Sequence, residues 1–599
     1  MKRILFFITI LLFTLSTNAQ NRVYGSSYGL IPDTGVDATP AFKKLLEAVK
    51  DEEEALIILT AGRYDFYEEG ATQKEYFQSN TTDDNPKNLS ILLEGLQNIT
   101  IDGNFATFMF HGKLQPITIE NCRNIKIHRL YIDFATPTSV EAEVVEVTDS
   151  YFEVNFDKKR YPYEINDKKV TFFVGKHESH PFGFVEFNDK LKIVEPNTGD
   201  RSWQNVEVVE NSPGYLKIYT HIKDQFPKRN NWVVIRHGVR THAGIFILNS
   251  TNVVIQNVNI YQTDGLGILA QYSKNINFFS CSIVPNYLEE RKYYSSHDDG
   301  LHIMGCSGKI RIENCEFFGL MDDAINVHGT YTQITKVSSK KIRAKFMHPQ
   351  STGMTWGRYG ETVAFVNNKD MSTLGIGVIK NYRKINKDEF EITFEERITG
   401  KVKVGMVIEN LTCTPDVSIV NSRIRSGRAR GLLISTPGNV WIEGNIFETS
   451  GSAILIAGDA SNWFESGPVK NVFVKNNIFR YSCMSSLYQY SEAVITIFPE
   501  IPELDPQKPY HSNIRIEDNS FFLFDYPILY AKSVDGLTFI KNRLYRSKEI
   551  TPFHYNKFGV KLIGCKNVFV GNNKEEGEIL GKAVIIENMD PKEVNKETK

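Results

Sequence analysis

Ten times along its length the chain repeats one short phrase: Asn, apolar, any residue, apolar, a few polar residues, then Asn or Cys and an aromatic. Clear copies are NITIDGN at 98, NIKIHRLYI at 124, NVVIQNVNI at 252, NVWIEGNIF at 439, NVFVKNNIF at 471 and NIRIEDNSF at 513. A strand of this pattern cannot bury its inward face alone, but successive turns of chain stacked on one another give each strand two parallel neighbours about 4.8 Å away and one continuous core. The repeats therefore predict an all-β protein, a right-handed parallel β-helix. Asn suits the corners because it tolerates left-handed backbone and its amide can bond to the Asn of the next coil. Cys281 and Cys315 fall in the same frame and read as small core residues, not as a redox pair.

A second phrase, small-apolar-x-apolar behind a leading residue, accompanies the first: AGIFI at 243, DGLGI at 264, DGLHI at 299, DAINV at 323, RGLLI at 430, SAILI at 452 and EAVIT at 492. Its leading residues form one expected column, Ala243, Asp264, Asp299, Asp323, Arg430, Ser452 and Glu492. Asp299 and Asp323 are 24 residues apart, one coil, so they are expected on adjacent rungs, with Asp298 and Asp322 beside them turned toward the corner. Carboxylates stacked so closely repel, and folding alone does not call for them. A solvated corner and a calcium site are the competing readings; catalysis by paired acids is preferred.

The remaining chain surrounds this column. "MKRILFFITILLFTLSTNAQ" reads as a signal peptide over 1–19, so the chain is expected to be exported, periplasmic or secreted, with no membrane insertion. Residues 20–135 read as an N-terminal cap, with a helix in ATPAFKKLLEAVK, and first coils. Residues 136–235 form an inserted β-rich module, 236–330 the central coils with the acids, 331–412 a β-barrel-like insertion and 413–599 the C-terminal coils. A net charge of −2 without long runs of one sign gives no footprint for nucleic acid. Seven cysteines without CxxC spacing suggest neither a zinc site nor a disulfide framework, and no motif for a cofactor is read in the chain.

An acid that protonates a leaving oxygen beside one that activates water would hydrolyse a glycosidic bond, and the corner-to-column placement suggests the wide separation that goes with inversion. Asp298, His297, His302, His328, Arg428, Arg430, Trp463 and Glu465 complete the candidate substrate-binding set. The histidines read as hydrogen-bonded supports, the arginines as ion pairs or sugar contacts, and Trp463 and Glu465 of SNWFESGP, with Trp356, as groups for stacking on and bonding to a sugar ring. A polygalacturonase-like enzyme and a non-catalytic glycan-binding β-helix are the alternatives.

The motifs DTGVDATPAF, HDDGLHI, GLMDDAINVHG, RSGRARGLLIST and NWFESGPVKNV resemble glycoside hydrolase family 110, the bacterial exo-α-1,3-galactosidases, and within it the B subgroup of Bacteroides-like bacteria. The resemblance runs over nearly the whole mature chain. It implies inverting hydrolysis without a metal, and galactose-terminated glycans as partners, both blood group B type and linear α-1,3-galactosides; a homodimer is possible on this reading. It also implies catalytic carboxylates at Asp299, Asp322 and Asp323, with Asp322 as general acid and the other two holding and deprotonating the water.

Overall fold

The two phrases become two parallel sheets that face each other across one apolar core. In a computed structural model of the protein, residues 21–222, 226–425, 427–483 and 491–596 are described, so the leader expected over 1–19 lies outside them. Among the described residues the Asn-led strands build a 23-stranded sheet and the second phrase a 14-stranded one, coil upon coil. Inward residues of the first phrase line up without a break from Ile99 through Ile125, Val253 and Ile276 to Val568, and these are buried. Apolar area removed from water at about 25 cal/mol per Å² along such a column is what holds the coils together.

Asparagine pins the corners, as expected. Asn98, Asn124, Asn252 and Asn275 all take left-handed backbone. Their amides link coil to coil, Asn124 donating to Asn98 at 2.8 Å, Asn252 to Asn124 at 2.9 Å and Asn275 to Asn252 at 3.0 Å. A buried ladder repeats this at Asn445, Asn477, Asn519, Asn542 and Asn573, each step 3.0 Å. Cys281 and Cys315 are buried and unpaired by any disulfide.

Helix α1 (Thr39–Ala48) closes the N-terminal end. Just before it, the Asp37 carboxylate accepts from Thr39 N at 2.9 Å, and the helix buries Phe42 against Phe66 and Phe108. No helix among the described residues is long and apolar enough to cross a membrane. Both insertions are antiparallel. The first is an eight-stranded sheet running from Ser139–Val147 to Trp232–His237, and the second a closed six-stranded barrel between Thr332–Val337 and Val407–Asn410.

The strands that carry the site are β1 (Ile245–Leu248), β2 (Ile268–Gln271), β3 (Leu301–Met304), β4 (Ile325–Thr330), β5 (Leu432–Ser435), β6 (Ile454–Ile456) and β7 (Ile495–Ile497). They pair in that order. Their register aligns Leu301 with Ile325 and Leu432, which sets Asp299, Asp323 and Arg430 on successive rungs. It also corrects two members of the expected column. Ile268 pairs with Leu301, so Leu266 and not Asp264 stands beside Asp299. Ile454 pairs with Ile495, so Ala493 and not Glu492 follows Ser452.

Candidate active site

Where the corner before β3 and β4 meets the loops, Asp299, Asp322 and Asp323 converge, with one oxygen of each within 4.8 Å of the others. They line a cavity of about 180 Å³ together with Asn80, Arg240, Asn326, Arg428, Arg430, Trp463 and Glu465. The outward residues of the strands make its floor. Asn326 of β4 is followed in register by Leu433 of β5 and Leu455 of β6, so the floor turns from polar to apolar within one coil. Ala457 and Phe498 extend the apolar part.

Charges divide the acids. Arg430 of the next rung grips Asp323 with Nε to Oδ1 at 2.8 Å, a terminal nitrogen to Oδ2 at 2.7 Å and its backbone N to Oδ1 at 3.0 Å. Burial and the two neighbouring carboxylates nevertheless push Asp323 up to about 7. Asp322 lies between Arg240, 3.3 Å away, and Arg428, 3.6 Å away. Burial alone would raise it, but Arg428 and Arg240 hold it below the usual carboxylate range. Asp299 has no cation of its own, and burial together with Asp322 pushes it well up. Its Oδ2 meets Nδ1 of His302 at 2.7 Å, and Nε2 of His302 meets Nε2 of His328 at 2.9 Å.

Of the candidates named from the sequence, Asp299, Asp322, Asp323, Arg428, Arg430, Trp463 and Glu465 line the cavity. Asp298, His297, His302 and His328 do not; they are buried behind its wall. Asp298 pairs with Arg240 at 2.7 Å and with His297 at 3.0 Å; against the cost of burial these two hold it far below the usual carboxylate range. Trp356 is no sugar platform. It is 2% exposed inside the barrel and donates its indole N–H to the Thr330 carbonyl at 2.8 Å. Trp463, in contrast, is 38% exposed and lies on His348 with ring centroids 4.1 Å apart. The Asp459 carboxylate caps its turn, accepting from the backbone N of Asn462 at 2.9 Å and of Phe464 at 3.1 Å. Antiparallel pairing of Glu465 with Thr330 ties that turn to β4.

Asn80, Arg240 and Asn326 were missed. Asn326 had a visible signal, a polar residue on the outward side of an apolar strand in the acid-bearing coil, and its buried Oδ1 has no partner. Asn80 and Arg240 come from loops whose approach no repeat encodes. The acids are also the grouping among the described residues that offers metal-ligand spacing. Three guanidiniums already pair with Asp322 and Asp323, so the donor set is spent on arginine and does not fit a divalent cation.

A right-handed parallel β-helix whose loops close a pocket of carboxylates and arginines is the class that fold and site define, and comparison with known proteins narrows it. Residues 140–233 and 341–408 match the models described as GLAA-B beta-barrel domains I and II, and 208–340 a right-handed beta helix region. The chain is 46% identical to "Alpha-1,3-galactosidase B" of Bacteroides thetaiotaomicron, covering 98% of this chain and 96% of that one. It is 36% identical to the protein of that name from Phocaeicola vulgatus, over 96% and 99%, and 33% identical to "Alpha-1,3-galactosidase A" of Bacteroides fragilis, over 97% of each. The chain belongs to this bacterial α-1,3-galactosidase family.

Proposed function

We propose that the chain is an exported, exo-acting α-galactosidase that removes terminal α-1,3-linked galactose from linear and blood group B type branched glycans with inversion. The observation that carries this reading is three carboxylates facing one small pocket, with arginines paired to Asp322 and Asp323 and none to Asp299. A site so charged keeps one acid protonated beside one ionised base, which is what hydrolysis of a glycosidic bond requires.

The same charges favour roles other than the working ones taken from the sequence. Asp322, ionised between Arg240 and Arg428, suits the base that draws a proton from water. Asp299, uncharged in the resting site, suits the acid. The C1–O bond to the aglycone breaks as Asp299 gives its proton to the departing oxygen, and water forms the new bond to C1 as Asp322 takes its proton. Return of that proton from Asp322 to Asp299 restores the resting state. Asp323, held at both oxygens by Arg430, anchors the pair.

Inversion is what the family resemblance implies, with Asp322 acting on water and not on C1. The oxygens are closer than the wide gap expected from corner placement, so the anomer decides. The mature protein incubated with Gal-α-1,3-Gal and with a B-type trisaccharide is expected to release galactose whose first NMR signal is the β anomer. Binding without release leaves a glycan-binding protein, and an α anomer first removes inversion. Asp299→Asn is expected to lose about 10³-fold on the disaccharide but far less on an aryl galactoside with a good leaving group, while Asp322→Asn loses on both and regains turnover with azide. The reverse pattern restores Asp322 as the acid.

A further inference from the structure

From Asp299 in the wall of the cavity a line of hydrogen bonds runs inward through His302 and His328, both buried, to the Gly329 carbonyl. The distances are 2.7 Å from Asp299 Oδ2 to His302 Nδ1, 2.9 Å between the two Nε2 atoms and 2.6 Å from His328 Nδ1 to the Gly329 oxygen. Both imidazoles are buried, His302 completely. The end of the line dictates the rest. A carbonyl can only accept, so His328 carries its proton on Nδ1, and as a neutral ring it then offers a bare Nε2. His302 must donate to that nitrogen from its own Nε2, which leaves its Nδ1 bare. Facing a bare Nδ1 at 2.7 Å, Asp299 Oδ2 has to be the donor. Ionised Asp299 would set lone pair against lone pair.

We propose that the His302–His328 pair, oriented by the Gly329 carbonyl, is a proton lock that keeps Asp299 in its acid form and readies it to protonate the departing oxygen. The inference rests on the hydrolytic reading above and assigns two positioning residues to it; neither histidine touches the cavity. The alternative state, Asp299 carboxylate against an imidazolium, would place two charges in a sealed site. Asp322 on the neighbouring corner, Asp298 and Glu465 oppose a further negative charge on Asp299, while Arg240 favours it. Glu465, with Oε1 3.6 Å from His328 Nε2, pulls the rings toward the charged form, and Arg240 pushes His302 away from it. Burial outweighs these pulls: His302 is pushed down to about 4, and His328 also falls. When a glycosidic oxygen arrives, the Asp299 hydroxyl turns from His302 Nδ1 to it, and after transfer the bare Nδ1 favours prompt reprotonation.

Neutron diffraction from the perdeuterated protein at neutral pH reads the lock directly. Deuterium is expected on Asp299 Oδ2, His302 Nε2 and His328 Nδ1, and deuterium on His302 Nδ1 would overturn the proposal whether or not any galactoside is cleaved. A kinetic arm uses His328→Gln, whose amide can donate to His302 Nε2 and so let His302 keep its proton on Nδ1, where it stabilises ionised Asp299. The basic limb of kcat/KM is expected to fall by about one pH unit, with KM within about twofold. A limb that stays in place, with or without loss of rate, gives the histidines a packing role only. Absence of galactose release by the unaltered protein would defeat the hydrolytic reading, and the deuterium map would still judge the lock.

Discussion

Asp264 shows how a single residue can mislead when only the pattern is visible. Its DGLGI matches DGLHI letter for letter at four of five places, yet it is buried beside β2 with neither carboxylate oxygen hydrogen-bonded, and desolvation pushes it up to about 8. Nothing in the structure explains why an acid stands there. Its energetic consequence has a definite sign. Unfolded, Asp264 loses its proton near 4, but folded it keeps it to about 8, so between those values the native state binds more protons and stability falls as pH rises. Asp264→Asn cannot lose a proton. The unfolding free energy of the variant, measured by urea denaturation, is expected to gain on that of the parent by about 1 kcal/mol per pH unit between pH 5 and 7. Parallel pH dependences would mean that Asp264 titrates as it does in water. Asp299, Asp322 and Asp323 were legible because two acidic pairs one coil apart have no reason in a solvent-free column. Which of them holds a proton was not, because that depends on Arg240 and on the sealed histidines.

The strands explain why register was mostly, not wholly, readable. A pattern with period two survives a slip of two residues unchanged, and that is the slip made at Asp264. What fixes the true register is space. Gly267, Gly300, Ala324, Gly431 and Ala453 align, and a Cβ on Gly300 would stand 2.7 Å from the Ala324 carbonyl oxygen, so the small residue before each strand, not the acid, marks the coil. At β7 the small residue shifts by one, leaving Glu492 to bond with Tyr555 and Asn556. The floor of the pocket follows from the corrected register: polar Asn326 under the acids, then Leu433 and Leu455. On the proposed function, galactose is expected over the polar part and the next sugar over the apolar part, where its C–H face would lose water. Leu455→Asn is therefore expected to raise KM for Gal-α-1,3-Gal about tenfold, a loss of about 1.4 kcal/mol, with kcat little changed. Turnover of α-galactosyl fluoride, which has no second sugar, should not move; an equal effect on both substrates would place galactose itself over Leu455.

At the scale of the molecule the pocket belongs to no single segment. The coils supply the acids, but the first insertion sends Asp200 to Arg428, the second sends His348 under Trp463, and the N-terminal loop sends Asn80 to Glu465 across 385 residues. The repeats made the scaffold legible; these contacts have no local signature, because loop approach is decided by where two inserted modules dock. Asp200 has the clearest mechanistic consequence. Arg428 is shared: Nε donates to Asp200 at 2.7 Å while a terminal nitrogen faces Asp322 at 3.6 Å. Part of the positive charge that ionises the proposed base is thus drawn off by a carboxylate from another module. In Asp200→Ala the whole guanidinium falls to Asp322, which becomes a weaker base that stays ionised to lower pH. The acidic limb of kcat/KM is expected to move down by about half a pH unit, with kcat reduced by about two- to threefold through the lost basicity. A fall in kcat with the limb unmoved would mean that Asp200 only props the loop, and an upward shift would mean that Arg428 leaves Asp322 once its anchor is gone.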